Sequence, residues 1–173
     1  MQQEQTEVDQ CDGDQSGTSQ FDTDAGGDGS LSDAAWRRQL AELALACAGA
    51  FPGEEPARIR EVCALLADAP QSELIAGLTV PDHARTEVLL AAGAEETAVL
   101  ALFGGEAGYL LSRAACGQYL ASVILPGSSA EVTAGGDNLV LALIGALALA
   151  LVEVTTDSGA AVPRPGRDGL RRN

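Results

Sequence analysis

The side chains able to do chemistry are few and far apart. His83 is the single histidine in 173 residues. Any Ser-His-Asp or Cys-His arrangement must use it, because the imidazole takes the nucleophile's proton. It follows Pro81-Asp82 at a helix start and reads as a first-turn surface residue. The four cysteines, Cys11, Cys47, Cys63 and Cys116, contain no CxxC pair. With one histidine beside them they make no zinc pattern. Cys47 and Cys63 fall in apolar helical stretches and read as small core residues. Glu54-Glu55 and Glu95-Glu96 are adjacent acids. Neighbouring residues point to different sides of a helix or loop, so each pair reads as solvated charge rather than a catalytic acid facing a base. Gly104-Gly105-Glu106-Ala107-Gly108 precedes a strand, whereas a phosphate loop opens a helix. The expectation is a non-enzyme without catalytic, cofactor-binding or metal-ligating residues, and without a cofactor.

Charge narrows the classes further. The net charge is −15, with 25 acids against ten basic residues, all of them arginine. Residues 1–33 hold nine acids and no base; the last eighteen residues hold two acids and four arginines. Phosphate recognition needs clustered Lys and Arg, and single strands need stacking platforms. Neither is present, so no direct nucleic-acid partner is expected. Acidity suits a protein partner, or an acidic decoy that fills a basic nucleic-acid site on another protein. MQQEQTEVDQ lacks the basic and apolar regions of a signal peptide, and the expected compartment is the reducing cytoplasm.

Residues 1–33 are too polar to offset their ordering entropy and predict a disordered acidic tail. Their runs DGDQSG and DTDAGGDG lack the spacing of a calcium loop. Residues 34–68 predict a helical hairpin. Trp36, Leu40, Leu43 and Cys47 recur at helical spacing after a cap at Ser32 or Asp33. Pro52-Gly53 stops that helix, Pro56 starts the next, and Ile59, Val62, Cys63 and Leu66 share its side. Residues 70–81 read as a short turn after Ser72 and an extended piece. Asp82 then caps a helix to Phe103, continuous or broken at Gly93, with Val88, Ala92, Val99 and Phe103 on one face.

After Gly104-Gly105 the apolar period changes to two. GYLLSRA and QYLASVIL predict strands joined at Cys116-Gly117, and SAEVTA a third short strand. Tyr119, Ala121, Val123 and Leu125 alternate onto one face; Leu120, Ser122 and Ile124 take the other. The longest apolar run follows, Asn138 to Val154, NLVLALIGALALALVEV. Its length and its Ala and Leu content predict a helix over a strand. Val140, Leu141, Leu143, Ile144, Leu147, Leu151 and Val152 form a wide bulky face that must be buried. Ala142, Ala146 and Ala150 form a narrow row beside Glu153, read either as lightly solvated surface or as a close helix contact. With Asp137 and Glu153 pinning its ends, the run falls short of the ~20 apolar residues of a bilayer span. A membrane partner is therefore not expected, and anchoring through residues 138–154 stands behind the other readings. Residues 156–173, rich in Arg, Gly and Pro, predict a flexible tail.

The expected class is α+β in a single domain, residues 34–155. An N-terminal helical hairpin (34–68) precedes α-β-β-β-α (82–154), with helix 138–154 covering a small antiparallel sheet. Within it, residues 108–153, from GYLLSRAACGQYLASVILPG through the Ala/Leu helix, resemble the βββα modules of HicB-type antitoxins and phage ABA-sandwich proteins. The resemblance implies a hairpin, a third strand, a polar turn and a helix; it carries no functional residue. HicB-type proteins usually add a basic DNA-binding segment, which this chain lacks. The functional expectation is a small non-enzymatic interaction or regulatory module, of a phage or mobile-element accessory kind, binding a protein partner. Self-association is expected through the Ala row or a sheet edge, with Ala142, Ala146, Ala150, Tyr109 and Tyr119 as candidate interface residues.

Overall fold

The computed structural model describes residues 31–128 and 130–158. Of the expected tails 1–33 and 156–173, residues 1–30 and 159–173 lie outside the described residues. Helix α1, Asp33–Ala48, starts where the Ser32 hydroxyl accepts the Ala35 N–H at 3.3 Å. Its stripe Trp36, Leu40, Leu43 and Cys47 is buried as the spacing demands. Leu31 also packs on the core, so the ordered fold begins ahead of the expected boundary at residue 34. Helix α2, Glu55–Ala67, takes Pro56 in its first turn and buries Ile59, Val62, Leu65 and Leu66. Cys63 is only partly buried there. The Trp36 Nε1–H donates to the Leu65 carbonyl at 2.7 Å, tying the start of α1 to the end of α2 in an antiparallel hairpin.

A 3-10 turn at Ser72–Ile75 leads to Leu78, which bridges Phe103. Asp82 caps α3, His83–Ala91, and α4 follows at Glu95–Leu100. The break falls at Gly93, whose φ of +67° suits glycine. It resets the helical phase and dissolves the expected common face. Val88 and Ala92 are exposed, while Val99 is buried and Phe103 partly so.

Strands β1 (Gly108–Arg113), β2 (Tyr119–Ile124) and β3 (Val132–Gly136) form an antiparallel sheet in the order β1-β2-β3. Gly117, at φ +93°, turns the first hairpin. Helix α5, Leu139–Ser158, is capped by the Asn138 Oδ1, which accepts the Leu141 N–H at 2.9 Å. The Asn138 amide also donates to the Glu55 carboxylate, which fixes α5 to the start of α2. The helix runs past the expected end at Val154 to Ser158, through residues 155–158 that contain no Gly or Pro.

Every residue from Val140 to Ala148 is buried. One side of α5 seats on the sheet and the other takes α1. A Cβ added at Gly145 would lie 3.4 Å from the Ala134 Cβ of β3 and 3.6 Å from the Cys47 Cβ of α1. The strand β3 comes closer still: a Cβ at Gly136 would stand 2.6 Å from the Ala142 backbone nitrogen. The solvated reading of the alanine row is thereby corrected. Ala142, Ala146 and Ala150 are 0%, 0% and 3% exposed, so the row is a close contact inside one chain, and a helix apolar on all sides is a buried one. Among the described residues, no helix is long and apolar enough to cross a membrane.

Candidate functional site

Among the described residues, a cleft and an open sheet face each gather side chains that the core does not bury. The first is a cleft of about 240 Å³ between α2 and α3, lined by Arg60, Cys63, Ala64, Ala67, Pro81, His83 and Thr86. Here the fold brings the single histidine to a cysteine twenty positions away in sequence, a juxtaposition that the spacing did not reveal. The thiol is not primed. Burial pushes the Cys63 pKa up, the hydrogen bond with Thr86 opposes this, and the Glu87 charge adds to it. Arg60 is engaged, its guanidinium gripping Glu87 through two bonds of 2.7 and 2.8 Å. That bond, more than any other cause, holds the Glu87 carboxyl below its ordinary pKa. A protonated thiol beside an occupied arginine provides no activated nucleophile. Cys47 is more inert: burial pushes its pKa to about 12, opposed by a smaller lowering from Arg58 and aided by a smaller raising from Glu61. Among the described residues, no group of three or more His, Cys, Asp or Glu is placed to hold a metal ion.

The second place is the face of the sheet turned away from α5. Opposed residues of an antiparallel pair share a face. Leu110 stands opposite Ser122, and Leu120 lies between Ser112 and Gly135, so all five side-chain positions belong to this outer face. Ile124 joins them opposite Gly108; a Cβ on that glycine would meet the Ile124 Cγ2 at 2.9 Å. Beside this close contact lies a hollow of about 280 Å³ lined by Gly108, Tyr109, Leu110, Ser122, Ile124 and Glu131. Leu110, Ile124 and Leu120 remain 64%, 43% and 36% exposed. Ser122 and Thr133 satisfy each other across the strands at 2.7 Å, which leaves apolar contact as the main chemistry on offer.

The two tyrosines lie on the opposite, helix-covered side. Tyr119 is partly buried with the Arg113 guanidinium 5.3 Å from its ring centroid. Tyr109, at the rim, is exposed and packs against Phe103 with the rings tilted by 57° and centroids 5.0 Å apart. Neither meets the alanine row at a shared surface, because that row is internal. Leu110, Leu120 and Ile124 were missed as a site by sequence reasoning, although their alternation against Ala121 and Val123 carried the signal. No protein-family model matches the chain, and no curated protein or solved structure matches it.

Proposed function

We propose that the chain is a non-enzymatic protein-interaction module that takes its partner on the outer face of the β1-β2-β3 sheet. The carrying observation is the exposed set Leu110, Leu120 and Ile124 around the Gly108 hollow, on a face the helices leave open. Exposed apolar groups gathered on one face mark contact surfaces. Glu131 at the rim and the −15 charge favour a partner segment that inserts an apolar side chain and carries a basic one beside it. The β-β-β-α order supports placing the module with the accessory proteins of phages and mobile elements. Retention of a macromolecule from the native host by the full chain, and its loss on Ile124→Arg, is the expected result. If nothing is retained, or if Ile124→Arg retains the same partner equally, the reading fails.

A further inference from the structure

We infer that two copies of this chain join edge to edge through β1, their strands antiparallel about a two-fold axis at Leu111. This concerns the edge of the sheet, not its outer face, and stands apart from the partner reading. The Ala114 N–H donates to the Gln118 carbonyl at 2.8 Å, which sets the phase of the β1-β2 ladder. In an antiparallel pair the bonded positions alternate. Gly108, Leu110 and Ser112 therefore turn their backbone groups toward β2, while Tyr109, Leu111 and Arg113 turn theirs away. Among the described residues β1 ends the sheet, and those three residues present an unpaired row of donors and acceptors, a template for another strand.

The side chains along this row are self-complementary. Pairing about Leu111 sets Tyr109 opposite the second copy's Arg113 and Leu110 opposite its Ser112. Arg113 already lies against the Tyr119 ring on its inner flank, and Tyr109 already packs against Phe103. The second copy's Tyr109 would close the outer flank of Arg113, holding the guanidinium between two aromatic rings. Symmetry repeats the arrangement. Glu106 precedes β1 and Arg113 ends it, so antiparallel pairing also brings each copy's basic end toward the other's acidic end. The outer faces of the two sheets then become continuous, doubling the apolar surface. The −15 charge on each copy opposes association, so added salt screens the repulsion and tightens the dimer.

Sedimentation velocity on the full chain, from roughly 1 to 200 μM, is expected to show a monomer–dimer equilibrium with the weak affinity of a small interface. The dimer fraction should rise between low and high salt. Arg113→Glu should weaken it roughly tenfold or more, by replacing an attracted cation with a repelled anion in both symmetric contacts. The exchange Tyr109→Arg with Arg113→Tyr should restore it, because only the two-fold register re-forms the pair. Circular dichroism on each variant separates this from unfolding. Leu110→Cys with Ser112→Cys supplies a test on an intact edge: the opposed, non-bonded pair has the ~4.5 Å Cα separation a disulfide accepts. Mapping of a bond between position 110 and the second copy's 112 supports the register. A chain monomeric throughout, a folded Arg113→Glu variant that dimerises unchanged, or cross-links in another register overturns it. A dimer lacking any host partner would fail the interaction reading alone; a monomer that loses its partner on Ile124→Arg would fail this inference alone.

Discussion

The sheet has two faces built from the same strands and fitted for different company. On the inner face Ala121 and Val123 are fully buried beneath α5. On the outer face Leu110, Leu120 and Ile124 stay in water. Alternation along β2 places Ala121 and Val123 in and Leu120 and Ile124 out, and the β1 register sets Leu110 on the outer side opposite Ser122. Stability explains the apolar residues of the inner face. It explains those of the outer face less well, because Leu110, Ile124 and Leu120 keep 64%, 43% and 36% of their surface in water. On the proposed reading these residues serve contact, and the contrast separates what holds this molecule together from what it would offer to a partner.

The largest expected effect breaks the inner side. Leu147→Ala empties a fully buried position on α5 and should lower the unfolding free energy by about 2–5 kcal/mol in denaturant titration. Next comes the seat between strand and helix. The nearest atoms to a Cβ at Gly136 are backbone atoms of Ala142 and Leu141, which cannot swing aside. Gly136→Ala should therefore cost about 1–3 kcal/mol and lower Tm. On the outer face, Leu110→Ser and Ile124→Thr should each shift stability by no more than about 0.5 kcal/mol, while removing partner contact. A large loss there would show that the outer face serves the fold and would erase the contrast.

The smallest effect concerns Arg60 and Glu87, an exposed pair away from both faces. Its arginine bond lowers the Glu87 pKa in the folded chain. A depressed carboxyl adds stability above its unfolded pKa and loses that contribution as pH falls through the folded value. Arg60→Gln should return the Glu87 titration midpoint, followed by NMR, to the ordinary glutamate range and leave neutral-pH partner binding untouched.

Much of this architecture was legible because its signals are local. Ser32, Pro56 and Asp82 mark helix starts, and the change of period after Gly104-Gly105 marks the sheet. Burial of the alanine row was not legible, since it depends on α1 crossing α5 from a distant part of the chain. Only the folded arrangement puts Cys47 and Ala134 on either side of Gly145. The face shared by Val88 and Val99 failed for a geometric reason, the phase lost at Gly93. The Cys63–His83 cleft needed two helices to meet and left no periodic trace. The outer apolar set was visible as a pattern, but which face the helices would cover was decided by packing.

Trp36 carries a practical consequence. It is the only tryptophan, fully shielded, and its indole hydrogen is held by Leu65. Its tryptophan emission therefore reports on one seam between two helices, remote in chain order from the strands. A blue-shifted spectrum that persists while ligands are added would show docking without disturbance of that seam. A red shift would time its opening, with no label attached to the chain.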